Sequence, residues 1–314
     1  MNFIKPKIII SKCLEHDACR FDGLLINNKY IKKLKKFIEF ITVCPEVEIG
    51  MGIPRKPIRI IHDDNKIILQ QSDTGIDWSK KMNNFSKKYI SEIEYVDGFI
   101  LKSASPSCGI NSTKIFQKKH PAPIGKGNGL FAEQIVQNFP NHPKEEEKRL
   151  NNSILREHFF TSIFTIADFR SVNNFETLYK YHAKHKYLFM SYNQTLMTKM
   201  GKIAANDNNL KIEEVKDQYY KDLLLLFLKK SRYKTNINTH MHVMGYFKKE
   251  LTSKEKKMFL NKLDLYRNKK IPISGINNML LSWIIRFEND YLINQSFFNP
   301  FPEELIEQDM SRFL

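Results

Sequence analysis

The chain is poor in cysteine, and the few thiols it has are confined to one part of it. Four cysteines occur in 314 residues, and none lies beyond Cys108. A small secreted domain stapled by disulfides would carry more, whereas a few clustered thiols in a chain of this length are more typical of metal binding or catalysis. The sequence therefore argues against a disulfide-rich scaffold and directs attention to the segment that ends at Cys108.

Long apolar runs are also missing. No stretch approaches the ~18 residues that a membrane-spanning helix needs, so we expect no membrane partner. The short apolar run near the N-terminus is cut off by Lys12 and Cys13, and no small-residue cleavage site follows it. This run predicts a first β-strand rather than a signal peptide, and we expect a cytoplasmic protein.

Acidic residues are outnumbered by basic ones, 34 against 50, which gives a formal net charge of +16. A net positive charge of this size is compatible with binding to nucleic acid or to another anionic surface. The lysines are spread along the whole chain instead of forming one block, a distribution that favours an ordinary solvated surface. On charge alone, nucleic acid binding stays open as an alternative.

Strand-like and helix-like segments alternate in the first part of the chain. Hydrophobic residues make up 42% of the sequence, enough to build a core. The strand-like runs are residues 5–13, 40–47 and 96–102, a hairpin is predicted over 59–70, and the helix-like runs are residues 31–40 and 77–93. This alternation predicts an α/β domain with a mostly parallel sheet over residues 1–140.

The pattern changes after residue 140. Apolar residues then recur at helical spacing over residues 142–170, 179–193, 217–230, 236–251, 253–270 and 275–293. These segments predict an all-α C-terminal domain over residues 141–314. Nothing in its sequence identifies a chemical role.

Three of the cysteines follow predicted strands of the first domain. Cys13 and Cys44 come at strand ends, and Cys108 follows the run 96–102 after a short turn. The carboxyl ends of parallel strands share one edge of a sheet, where ligands bind, so we expect these thiols to converge. Three converging thiolates suit a soft metal or an iron–sulfur cluster.

Other interpretations of the thiols remain open at this point. Cysteine is among the most buried residue types, so the three could be inert packed thiols. A structural zinc site normally uses four ligands at close spacing, and no C-x2-C pair occurs here. Cys19 lies six residues after Cys13, a poor spacing for a zinc knuckle, and it could be a spare ligand although the other three cysteines already complete the pattern.

Four segments of the first domain together resemble the 2-thiouracil desulfidase (TudS-like) family. They are SKCLEHDACRFDG (11–23), CPEVEIGMGIPRKP (44–57), LKSASPSCG (101–109) and GNGLFAEQI (127–135). The second half resembles the YbgA-like domain, in LREHFFTSI (155–163), YHAKHKYLFMSYN (181–193) and HVMGYFKKELTSKEK (242–256). In one departure, the chain has Cys13-Leu14-Glu15-His16 where the desulfidase family commonly has Cys-Leu-Leu-Gly, and Phe21 stands where Tyr is usual.

The resemblance implies a cofactor and a reaction. It implies a [4Fe–4S] cluster held by three cysteines, which by motif are Cys13, Cys44 and Cys108. It also implies that the fourth iron takes sulfur from a thiocarbonyl, as in the release of uracil from 2-thiouracil. The substrate expected from it is a small thiolated pyrimidine or a thiolated nucleoside, and the expected activity is a hydrolase-like desulfidase.

Replacing C=S by C=O requires activation of water, for which a carboxylate is suited, and a hydroxyl can relay a proton or hold the pyrimidine. Glu46 and Glu48 are the carboxylates beside Cys44, and Ser105 is a hydroxyl beside Cys108. We expect Glu48 and Ser105 to act, with Glu46 as the next candidate. Alternation would put both carboxylates on one face of a continuing strand, so spacing does not choose between them.

Four further residues are candidates for substrate binding, namely Arg20, Asp22, Arg55 and Ser107. A different class of function also stays open, a basic module that holds RNA or DNA and uses its metal or cluster structurally. Steep salt dependence of nucleic acid binding would favour that alternative.

Overall fold

The computed structural model describes residues 3–63, 66–118 and 122–306. Two compact units make up the chain, one consisting mainly of Ile4–Phe159 and the other mainly of Phe160–Glu303. Among the described residues, no helix combines the length and the apolar character that crossing a bilayer requires.

Strands and short helices alternate in the first unit. Its strands are β1 (Lys7–Ser11), β2 (Glu39–Val43), β3 (Ile58–Asp63), β4 (Lys66–Gln71), β5 (Gly98–Leu101), β6 (Thr113–Gln117), β7 (Pro123–Gly127) and β8 (Lys144–Glu146). Its helices are α1 (Lys29–Leu34), α2 (Pro45–Glu48), α3 (Ser79–Ser91) and α4 (Leu130–Asn138), and α5 (Ser153–Asp168) begins within it. The predicted α/β fold is confirmed.

The first sheet is parallel throughout, with the strand order β2-β1-β5-β8. Strand β1 lies inside it, with Ile8 opposite Phe40 of β2 on one side and opposite Gly98 of β5 on the other. Ile8, Ile9 and Ile10 are fully buried. A parallel strand covered on both faces is expected to be apolar throughout, which explains the unbroken isoleucine run.

A second, mixed sheet has the order β4-β3-β6-β7. Strands β3 and β4 pair antiparallel, as the predicted hairpin requires, and the residues at its turn, 64 and 65, lie outside the described part of the chain. Strand β7 was not predicted, because Pro and Gly make up much of its sequence, PIGKG. It pairs with β6 across an irregular register near Ile115.

Strand β8 corrects the prediction of a helical region that begins at residue 142. Lys144–Glu146 pairs in parallel with Phe99–Leu101 of β5, and helix α5 begins only at Ser153. The charged sequence Lys-Glu-Glu has good helix propensity, but pairing at the sheet edge overrides that weak preference. The first unit therefore extends past the predicted domain boundary near residue 140.

The second unit is helical, as predicted. After the boundary inside α5 come α6 (Phe175–Ala205), α7 (Ile212–Leu226), α8 (Tyr233–Met244), α9 (Ser253–Arg267), α10 (Ser274–Arg286) and α11 (Asp290–Ile293). Helix α6 is interrupted at Asn193, whose φ of −158° and ψ of 103° are extended values. The Asn193 side chain then accepts from Leu196 N–H at 3.1 Å, so it caps the second segment of α6. Aromatic side chains such as Phe247 and Phe259 are buried in the core of this unit.

Replacement of Phe99 by alanine tests how strongly the first sheet depends on its core. Phe99 is fully buried on β5 and its ring lies 5.1 Å from that of Phe139. We expect Phe99→Ala to lower the free energy of unfolding of this unit by about 3–5 kcal/mol, since a large apolar group is lost and a cavity remains. Urea unfolding followed by Trp78 fluorescence in a Trp283→Phe background measures it, because the chain has only two tryptophans.

The matched control is Ile76→Ala, at a side chain that is 49% exposed. That change is expected to stay within about 0.5 kcal/mol of the parent. Equal losses in the two variants would contradict the assignment of the core.

Candidate functional site

A cavity of about 250 Å³ lies where β1, β2 and β5 end. Its wall includes the residues that directly follow these strands, among them Lys12, Cys44 and Lys102. Of the residues predicted from the sequence, those that line it are Cys13, Cys44, Cys108, Glu46, Ser105, Arg20 and Arg55. Glu48, Asp22 and Ser107 do not line it.

All four cysteines of the chain line this cavity, and all are buried as free thiols. Cys19 is 1% exposed, and its side chain is within hydrogen-bonding reach of the thiols of Cys13 and Cys44. The Cys44 thiol also donates to the Cys19 carbonyl oxygen at 3.8 Å. The thiol of Cys108 lies near the hydroxyls of Ser11 and Ser105.

These surroundings raise the pKa of the thiols of Cys19, Cys44 and Cys108 in the metal-free protein. The hydrogen bond with Cys13, together with burial, raises the pKa of Cys19 to about 11. The hydrogen bond with Cys19 and burial raise the pKa of Cys44, and burial raises that of Cys108. Metal binding needs the thiolate, so loading such a site with a metal group would release protons.

Cys44 is positioned by the transition from β2 to α2. Its carbonyl oxygen accepts from Val47 N–H and Glu48 N–H, both at 3.0 Å, so Cys44 is the N-cap of α2. Pro45 occupies the first helical position, where its missing N–H is not needed. The short helix therefore begins immediately after the thiol.

Helix α2 separates the two carboxylates that a continuing strand would have placed on one face. Glu46 and Glu48 are two positions apart, which on an α-helix is about 200° around the axis. Glu46 lines the cavity and Glu48 does not. The strand expected to extend through residue 47 ends at Val43 instead, because the proline begins a helical turn.

Glu46 is held by a buried ion pair. Its Oε2 atom accepts from Arg55 Nε at 2.7 Å and lies 2.5 Å from Arg55 Nη2. Its Oε1 atom accepts from the Ser107 hydroxyl at 3.0 Å. The Arg55 side chain is 4% exposed and that of Glu46 12% exposed, so this guanidinium is engaged inside the protein rather than presented to an anion in solution.

Arg20 and Asp22, the other predicted substrate residues, form a half-buried pair at 3.2 Å. Arg20 lines the cavity, with its guanidinium carbon 5.5 Å from the centre of the Phe21 ring. Phe21 also lines the cavity and is 42% exposed, so this edge of the site is open to solvent.

The loop that carries Cys108 is fastened by two carboxylates that the sequence analysis missed. Glu147 accepts from the Ser103 N–H at 2.6 Å and from the Ser103 hydroxyl at 2.7 Å. Glu146 accepts from Ile110 N–H at 2.7 Å and from the hydroxyl of Ser112. Both belong to the charged run at 145–147, which the sequence analysis placed in a helical region, so the sequence held no local signal of their role.

Close backbone contacts fix the same loop from the other side. The carbonyl oxygen of Ser107 accepts from Phe131 N–H and Ala132 N–H, both at 3.0 Å, which satisfies the first turn of α4. A Cβ atom on Gly129 would lie 2.4 Å from the Ser107 carbonyl carbon, so only glycine permits this approach. Gly109 is likewise required by space, since its Cβ would meet the Thr113 hydroxyl at 2.3 Å.

Ser105 makes the turn around Cys108 rigid. Its hydroxyl oxygen accepts from the N–H groups of Ser107 and Cys108, at 3.2 and 3.1 Å. Ser105 therefore has a structural function in addition to its place on the cavity wall.

Of the three residues that depart from the family pattern, Phe21 lines the cavity, and Glu15 and His16 do not. The Glu15 carboxylate accepts from Asn28 N–H at 2.5 Å, and the His16 ring packs edge-on against Phe40. Their side chains therefore support the neighbouring loop and strand.

Comparison with known proteins finds similarity to described families in both parts of the chain. A family model described as "2-thiouracil desulfurase" matches residues 8–147, and one described as "Protein of unknown function (DUF1722)" matches residues 186–302. The chain is 31% identical over 110 residues to the uncharacterized protein YbbK of Bacillus subtilis, covering 32% of this chain and 72% of that protein. It is 23% identical over 126 residues to the uncharacterized protein YbgA of Escherichia coli, covering 40% of this chain and 75% of that protein.

A solved structure described as "[4Fe-4S]-dependent thiouracil desulfidase TudS" also matches. The alignment has a TM-score of 0.36 and 22% sequence identity, and covers 47% of this chain and 94% of that one.

Removal of the Arg55 side chain tests the buried ion pair. We expect Arg55→Ala to lower the free energy of unfolding by about 3–5 kcal/mol, because the carboxylate of Glu46 would stay buried without its partner. Urea unfolding of the reduced, metal-free protein measures this change. Arg20→Ala, which breaks the half-exposed pair with Asp22, serves as the control and is expected to cost less than about 1 kcal/mol. A similar loss in both variants would contradict a special role for the Arg55–Glu46 pair.

Proposed function

The chain belongs, through residues 8–147, to the 2-thiouracil desulfurase family, and from that membership we propose that it removes the sulfur of a thiolated pyrimidine. The reaction replaces C=S by C=O with the oxygen of water and releases sulfide. The substrate class is a small thiolated base or a thiolated nucleoside. The observation that carries the proposal is the single cavity lined by four cysteines together with Glu46 and Ser105.

The donors of this cavity suit a [4Fe–4S] cluster as the cofactor. Cys13, Cys44 and Cys108 would hold it, since thiolates are the usual protein ligands of such clusters. The thiols border a volume of about 250 Å³, many times the roughly 15 Å³ that a cavity needs to hold one water molecule. Within the described ranges, no three His, Cys, Asp or Glu side chains are grouped closely enough to hold one metal ion. When bound, the cluster supplies a soft Lewis acid for the thiocarbonyl sulfur.

Glu46 is the carboxylate that we assign to the activation of water. It lines the cavity that borders the thiols, and its orientation is set by Arg55 on one oxygen and by Ser107 on the other. A positioned carboxylate can take a proton from water as the oxygen adds to carbon. Glu48, the other candidate from the sequence, lies on the opposite side of α2. A substitution of Glu48 is therefore the control for a substitution of Glu46.

Ser105 and Arg20 are assigned to the substrate. The Ser105 hydroxyl is on the cavity wall beside Cys108 and has a proton to donate to the developing carbonyl oxygen or to a ring nitrogen. Arg20 and the exposed ring of Phe21 border the cavity, and a planar aromatic face there suits stacking on a pyrimidine. Asp22 is the ion-pair partner of Arg20, and Ser107 acts through Glu46.

We assign the chemistry to the first domain, proposed from the sequence over residues 1–140. The domain proposed over residues 141–314 contributes no described residue to the wall of this cavity.

Loss of one predicted ligand tests the cofactor. Anaerobically purified protein is expected to contain about four iron and four acid-labile sulfide per chain, and Cys108→Ala is expected to lose most of both. Iron and sulfide counts measure this directly. Ser91→Ala, at an exposed residue in α3, is the control and should match the parent. Absence of iron and sulfide from the parent protein after anaerobic reconstitution would contradict the proposed function.

Paired glutamine substitutions test the choice of carboxylate. We expect Glu46→Gln to reduce kcat for desulfuration of 2-thiouracil by about 10²- to 10⁴-fold with the iron content unchanged, because the group that takes the proton is lost. Glu48→Gln is expected to retain activity, since its side chain does not line the cavity. The reverse result, loss in Glu48→Gln alone, would transfer the assignment to Glu48.

A further inference from the structure

One thiol of the cavity has no part in the proposed function. Cys19 lines the same wall as the three assigned ligands and is 1% exposed. Its side chain is within hydrogen-bonding reach of two of them, Cys13 and Cys44. A thiol buried among cluster ligands therefore lies beside any group that they hold.

The backbone of Cys19 is fixed in this position. Its carbonyl oxygen accepts from Arg55 Nη1 at 3.0 Å and from the Cys44 thiol at 3.8 Å. The same guanidinium binds Glu46, so one cation sets the place of both Cys19 and the assigned carboxylate. Only five residues separate Cys19 from Cys13, and this short connection keeps the two thiols close.

Chemistry suggests what such a thiol would do. A cubane held by three cysteines has one iron without a protein ligand. Iron in such clusters binds soft sulfur donors, and a buried thiol has little competition from water. Of the protein sulfurs that line this cavity, Cys19 is the one that the proposed ligand set leaves unused.

We propose that Cys19 is an exchangeable fourth ligand that closes the open iron while substrate is absent, an inference that rests on the proposed function. On binding the iron, the Cys19 thiol would lose its proton to water. When the thiocarbonyl sulfur of the substrate took its place, the Cys19 sulfur would take up a proton again. No electron is transferred in either direction. The exchange keeps the cluster coordinatively complete between turnovers without blocking the iron that the substrate needs.

Oxidative iron loss tests this role without an activity assay. Ferricyanide removes one electron from a [4Fe–4S] cluster, and a cluster with an open iron then releases Fe²⁺ and leaves [3Fe–4S], which has its own EPR signal. In the absence of substrate, we expect this signal to grow at least roughly tenfold faster in Cys19→Ala and Cys19→Ser than in the parent, since even outer-shell partners change metal affinity by that factor. Ala18→Ser, an exposed change in the same loop, should behave as the parent.

The iron and sulfide counts before oxidation separate this inference from the proposed function. Variants that start with a full cluster and lose iron at the parent rate would overturn the capping role and leave the desulfidase proposal standing. Cys19 variants that fold, by circular dichroism, but hold no cluster would also overturn it, because Cys19 would then be an obligatory ligand. A parent protein without a cluster would overturn both.

Discussion

The site depends on the parallel pairing of β1 with β2 on one side and with β5 on the other. Parallel strands that are neighbours in a sheet end at the same edge, whatever their separation along the chain. Cys13 follows β1, Cys44 follows β2, and the loop after β5 carries Cys108, so one edge collects thiols that are far apart in sequence. The buried isoleucines of β1 hold this arrangement, because they fill the core on both faces of the central strand.

Buried carboxylates hold the residues around the cavity at that edge of the sheet in place. Glu147 and Glu146 accept hydrogen bonds from the loop that carries Cys108, while Glu46 is bound by Arg55 and Ser107. A carboxylate can be buried in the interior without a large energetic cost only when hydrogen-bond donors contact its oxygens, as they do here. The thiols are soft sulfur donors, and the carboxylate of Glu46, held in place by its ion pair, is a hard oxygen donor beside them. This combination suits a reaction in which a soft metal group binds sulfur while a carboxylate takes a proton from water.

Much of this arrangement could be predicted from local patterns, and the failures have a common cause. The α/β fold and the helical second unit followed from hydrophobic periodicity, and the hairpin of β3 and β4 from its turn residues. Strand β8 was missed because its pairing with β5 joins segments more than 40 residues apart. Local spacing also could not choose between Glu46 and Glu48, since a proline after Cys44 begins a helix and places only Glu46 on the cavity wall.

The sequence by itself determined the chemistry that is available: four thiols in one half of the chain, three of them placed after strands, with carboxylates and hydroxyls beside them. Periodicity and residue type carry that information because they act within a few residues. Only the tertiary structure decided how those groups are used. It paired Arg55 with Glu46 rather than with an external anion, buried Glu146 and Glu147 as supports of the Cys108 loop, and brought Cys19 against the other thiols. These contacts depend on which segments, distant in sequence, pack together in the folded core. Local sequence patterns do not encode that packing.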